Sequence, residues 1–197
     1  MLQQLLCANM EKYFKEKTFT AGEPLPDFAA AEFESCRFIR CALINQNFSR
    51  TEFNDCIFED CDLSGVNLQQ TSFMNVRFTS CKLQGLQFND CNEYIFECVF
   101  DHCQMNYASF YNRNLKQIRF DHCRLDEVDF TGADLSGNHF PFCSLSGAVF
   151  EQCNLEKTDF RTALNFSIDP GMNRMKKARF SRLNLEGLLD RFNLDIE

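Results

Sequence analysis

Apolar residues recur along this chain at every fifth position. Phe28, Phe33, Phe38, Leu43, Phe48 and Phe53 open one register that runs unbroken to Phe88. After a slip of two residues the pattern resumes at Ile95 and continues through Phe100, Met105 and Phe110 to Phe160, so that 27 fifth positions are all apolar. A period of five matches neither the 3.6 of a helix nor the 2 of a strand. Each pentad is therefore one short straight face ended by a turn, and the pattern predicts an all-β solenoid.

Two places before each of these residues lies a second inward position that is nearly always small, as in Ala31, Thr51, Val66, Val76 and Ala133. Ten of the 12 cysteines occupy it, and Cys91 joins them if the first register runs one step further. The other three places of each pentad are rich in Asp, Asn, Glu, Ser, Arg and Gln, as solvated positions require. Cys41, Cys61 and Cys81 are 20 apart, as are Cys103, Cys123 and Cys143, which places them in one column if a coil takes 20 residues. Such spacing is compatible with disulfides or metal. Interchange with Ala, Val and Thr favours small core hydrophobes, reduced and structural.

The ends depart from the period. Leu2, Leu5, Leu6, Met10, Tyr13 and Phe14 follow helical spacing, and a capping helix is expected there because an open solenoid end exposes unpaired strand edges. Asp169-Pro170 reads as the start of a brief helical turn, and Ser181 as the cap of a helix with Leu185, Leu188, Leu189 and Phe192 on one stripe. The expected organisation is a capping segment over 1–27, the solenoid over 28–164, and a helical capping and dimerisation segment over 165–197. The stripe suggests a tail-to-tail homodimer, with capping of its own last coil as the alternative. Within the solenoid, Asn92, Glu93 and Tyr94 fall in a bulge. Arg113 occupies an inward position where a guanidinium does not fit, so the coil is expected to open and let it snorkel outward.

Composition narrows the function. Phe occurs 23 times and Trp not at all, and the formal charge is −8. That balance argues against direct binding to nucleic acid or to an anionic membrane. Residues 28–164 hold 19 acids and 11 bases, so the solenoid carries the acidity. No apolar run approaches a membrane span and Met1 to Met10 lacks a signal pattern, so a soluble, cytoplasmic protein is expected. His102 and His122 recur in identical Asp-His-Cys triplets. The Cys points inward, away from the His, so no metal site is assigned. No phosphate loop, nucleophile elbow or acid pair in a cleft is present, and no enzyme activity or cofactor is expected.

Segments such as Ala133-Asp134-Leu135-Ser136-Gly137 and Cys153-Asn154-Leu155-Glu156-Lys157 resemble the pentapeptide-repeat family. The resemblance implies a right-handed quadrilateral β-helix with four pentads per coil. Gln70 to Phe78, Ile168-Asp169-Pro170 and Lys177 to Ser181 look like the Qnr-type quinolone-resistance proteins and the microcin and albicidin immunity proteins. That subgroup implies a DNA-mimicking, non-catalytic protein acting on the type II topoisomerases DNA gyrase and topoisomerase IV. The chain lacks the long loop that interrupts the coils of some members. A scaffold for an unrelated protein is the alternative. Counting by 20 and adding two at the slip puts Glu59, Asp101 and Asp121 in one outer column with Asp60 beside it, and Arg37, Arg77 and Arg119 in a neighbouring one. These four carboxylates, with Glu93 and Tyr94 in the bulge, are the expected partner-binding residues.

Overall fold

The computed structural model describes residues 12–195. They form a right-handed parallel β-solenoid with four faces per coil. The first face stacks β1 (Tyr13–Lys15), β3 (Glu32–Glu34), β5 (Glu52–Asn54) and the start of β7 (Ser72–Thr79). The second stacks β2 (Thr18–Thr20), β4 (Arg37–Ile39), β6 (Ile57–Glu59), the end of β7, the end of β8 (Phe96–Asp101), whose start lies on the first face above Phe73, and β9 (Arg119–Asp121). The third and fourth faces are single parallel bridges such as Asp62↔Lys82 and Asn47↔Asn67. Corner residues such as Arg40, Asp60 and His102 adopt positive φ. That conformation costs an L-residue on the order of 1 kcal/mol, and the ladder of backbone hydrogen bonds between coils offsets it.

The fifth-position side chains fill the interior. On the second face the rings from Phe19 through Phe38 and Phe58 to Phe180 stack with centroids 4.6 Å (Phe38–Phe58) to 5.6 Å (Phe120–Phe140) apart. Such spacing is the ~4.8 Å step between parallel strands, and each buried ring contributes on the order of 2 kcal/mol. The small inward position does more than fill space. Its side chain donates to the backbone carbonyl of the fifth-position residue 23 places earlier: Thr51 to Phe28 at 2.7 Å, Cys56 to Phe33 at 3.3 Å, Cys61 to Phe38 at 3.3 Å and Thr158 to Leu135 at 2.9 Å. Cysteine is thus a donor as well as a small hydrophobe. The 11 cysteines among the described residues are all buried and unbridged.

Several expectations are corrected. Tyr13 and Phe14 lie in a strand paired with Glu32 and Phe33, not in a helix, because Phe14 stacks on Phe33 and extends the first face. Leu2, Leu5, Leu6, Met10 and Cys7 lie outside the described residues. Asp169-Pro170 makes a turn rather than a helix start, and the solenoid goes on to Phe180, stacked on Phe160. Ser181 does cap a helix, accepting from the Leu183 backbone N–H, but Arg182–Leu188 is a 3-10 helix kinked at Asn184. With three residues per turn, Leu185, Leu188, Leu189 and Phe192 do not share one stripe. Leu188 packs on the core, whereas Leu185, Leu189 and Phe192 are exposed.

The register break is also different in kind. Phe96, not Ile95, takes the inward place, because Phe73 pairs with Phe96 while Val76 pairs with Cys98. Those offsets are 23 and 22 against the usual 20: three residues enter before Phe96 and one is lost after it. Arg113 stays inside at 6% exposure rather than snorkelling. Its guanidinium donates to the carbonyls of Cys91 (3.1 Å) and Asn92 (2.7 Å) and lies 4.7 Å from the Phe96 ring centre. The insertion opens the space that Arg113 fills.

Candidate partner-binding surface

With the interior filled, recognition falls to the outward positions. Strand register confirms the expected columns on the second face. Glu59 pairs with Thr79, Thr79 with Asp101 and Asp101 with Asp121; Arg37 and Arg77 flank Ile57, and Arg77 and Arg119 flank Val99. Both columns therefore lie on one face. Arg37 reaches Glu59 at 3.0 Å, and Arg40 lies 3.9 Å from Asp60. Including Asp159, Arg161 and Arg179 higher up, this face carries six arginines against five carboxylates. It is not an acidic face, contrary to expectation, because the arginine column sits beside the carboxylate column rather than round a corner.

Asp101 and Asp121 have a further role. Each holds the following imidazole, with Nδ1 of His102 and His122 at 2.6 and 2.7 Å. The two rings stack at 4.7 Å and 2°, and Phe142 continues the ladder at 4.9 Å. Each imidazole is turned to its own carboxylate. Among the described residues, no three His, Cys, Asp or Glu side chains converge as a metal would require.

Negative charge is in excess on the fourth face, which sequence counting overlooked. Asp90, Asp129 and Glu151 lie there with a single arginine, Arg50, and make no ion pair among the described residues. Asp27 and Asp169 at its ends are paired with Lys12 and Arg191, whose proximity holds both carboxyls below the usual range. Counting by 20 with two added at the slip places Asp90 above Arg50 and Gln70, Asp129 above Gln87 and Ser109, and Glu151 above Asn89 and Tyr111, so the signal was available.

Beside this face the expected bulge at Asn92, Glu93 and Tyr94 forms one side of an open groove. Its wall is amide-rich, with Asn67, Gln69, Gln70 and Asn89, and its rim carries Asp90, Glu93, Tyr94 and Tyr111. Tyr94 is 87% exposed, and the neighbouring Glu93 carboxylate holds its phenol above the ordinary pKa. Glu93 and Tyr94 thus adjoin the fourth face and not the carboxylates of the second. No helix among the described residues is long and apolar enough to cross a membrane.

A four-faced parallel solenoid with solvated corners defines a class of repeat proteins that present surfaces rather than clefts. The family described as pentapeptide repeat region matches residues 31–94, 72–148 and 93–189, and the chain belongs to it. Among solved structures, the chain is similar to a trypsin-treated variant of QnrB1, a plasmid-mediated fluoroquinolone resistance protein. The TM-score is 0.64 at 17% identity, covering 95% of this chain and 99% of that one. Full-length QnrB1 matches with a TM-score of 0.53 at 17% identity, covering 92% and 100%. No curated protein matches the sequence. These likenesses establish the Qnr-like fold.

Proposed function

We propose that the chain is a non-catalytic, cytoplasmic protein that binds a type II topoisomerase, DNA gyrase or topoisomerase IV, in place of DNA, and modulates it or protects it from quinolones or peptide toxins. The observation that carries this reading is the likeness to QnrB1, a fluoroquinolone resistance protein, along nearly the whole of both chains. The fourth face supports it with a field that a DNA-binding saddle would meet, three carboxylates outside any ion pair against one arginine, Arg50, and the Glu93–Tyr94 rim beside them. Glu59, Asp60, Asp101 and Asp121 serve as a secondary contact, since neighbouring arginines offset their charge.

Gyrase supercoiling, titrated with this protein with and without a quinolone, tests the reading. Altered supercoiling, or relief of quinolone inhibition, is expected. If neither occurs at any concentration, the chain is a scaffold for an unrelated partner, a reading favoured by the near balance of charge on the second face.

A further inference from the structure

The first face sorts its charges by height. Near the N-terminal end it bears Glu16, Glu32, Glu34, Glu52 and Asp55 against Lys15. Near the other end it bears Lys116, Lys157, Arg174, Lys176 and Lys177 against Asp134 and Glu156. Lys15 pairs with Glu34, Lys116 with Asp134 and Arg174 with Glu156. What is left is one-signed at each end. Glu16, Glu32, Glu52 and Asp55 below, and Lys157, Lys176 and Lys177 above, are exposed and make no ion pair among the described residues. Between them Met74, in β7, and Ile95, just before β8, stand 45% and 40% exposed.

An acidic third and a basic third in one line are self-complementary under a twofold axis between them, which is the property an isologous interface needs. We infer that the first face is a self-association surface on which a second copy lies antiparallel. With the axis between the coils of Glu97 and Lys116, Glu97 faces Lys116 of the second copy. Lys157 then faces the level of Glu52 and Asp55, and Lys176 and Lys177 that of Glu32. Ile95 then lies opposite the level of Lys116 and Met74 opposite that of Asp134, so both exposed apolar side chains are covered by the second copy. The pairing leaves the fourth face free. It is independent of any topoisomerase.

Because opposed charges steer such an encounter, association is expected where the Debye length is ~10 Å or more and is lost at 1 M salt, where it is ~3 Å. Sedimentation velocity over the micromolar range should show a doubling of mass at low salt and monomer at high salt. Lys157→Glu with Lys176→Glu and Lys177→Glu makes both ends acidic. Glu32→Lys with Glu52→Lys and Asp55→Lys makes both ends basic. Each triple variant alone should stay monomeric with an unchanged circular dichroism spectrum, and an equimolar mixture of the two should regain the dimer mass. A monomeric parent at low salt, a dimer in either variant alone, or a mixture that stays monomeric overturns the inference. So does loss of the dimer in Leu185→Asp with Phe192→Asp, which would place the contact at the tail.

Discussion

Nη2 of Arg113 donates to the backbone carbonyl of Asn92 at 2.7 Å, joining an inward arginine to the insertion one coil below it. The two irregularities of the repeat are therefore one structure. The insertion leaves the Cys91 and Asn92 carbonyls turned inward, and a guanidinium is long enough and rich enough in donors to meet both. Burial lowers the pKa of Arg113, yet its baseline is so high that it stays charged.

Arg113→Ala should leave both carbonyls unpartnered beside a cavity and cost ~2–4 kcal/mol in urea unfolding. Arg113→Lys, which offers one compact donor group, should recover part of that loss. An alanine variant as stable as the parent would show that the insertion closes without the arginine.

The solenoid was legible because its core repeats: a fifth position that must be apolar tolerates no exception from Phe28 to Phe88. Local irregularities were not legible, because a period says nothing about where a break is absorbed. Ile95 and Phe96 both satisfy an apolar rule, and only pairing with Phe73 decides between them. Phe14 was hidden by its neighbours, since Leu2, Leu6 and Met10 share helical spacing with it. The donor role of the cysteines needs the carbonyl 23 residues earlier, a contact that sequence spacing does not display.

Burial pushes the thiol of Cys56 up to about 12 and that of Cys153 to about 11. The folded chain thus keeps protons that the unfolded chain releases above its ordinary thiol pKa, ~8.5. Stability should be level in this respect below about pH 8.5 and fall as pH climbs toward 11 to 12. Urea midpoints measured from pH 8 to 11 check this. Other buried thiols, among them Cys36, Cys41, Cys91 and Cys98, are raised in the same way, so Cys56→Ala with Cys153→Ala should lessen the alkaline slope without removing it; an unchanged slope would place the titration elsewhere.

Gly187 closes the C-terminal end. Its carbonyl accepts from the Ile168 backbone N–H at 2.8 Å, and a Cβ there would collide with the Phe166 backbone oxygen and ring. Backbone oxygen cannot yield as a flexible side chain can, so Gly187→Ala should unseat the 3-10 cap at a cost of ~1–3 kcal/mol. Hydrogen exchange should show lost protection at Ile168 ahead of the coils below. Protection equal to the parent's would mean that the cap is anchored elsewhere.

The topoisomerase reading makes the two charged faces unequal. Reversing Asp90, Asp129 and Glu151 to Lys removes three carboxylates that face only one arginine, Arg50, and should abolish any effect on gyrase while thermal melting shows the fold intact. Reversing Glu59, Asp60, Asp101 and Asp121 to Lys removes partners of Arg37, Arg40, His102 and His122. The arginines already cancel much of that field at a distance, so the effect on gyrase should weaken by less than about tenfold. The parent's own effect should diminish as salt rises from 0.05 to about 0.3 M, because long-range attraction to a basic saddle is screened. If the second-face reversal is the one that abolishes activity, the contact lies along the Glu59–Asp121 column. If both reversed proteins act on gyrase as the parent does, charge on these faces does not stand in for DNA.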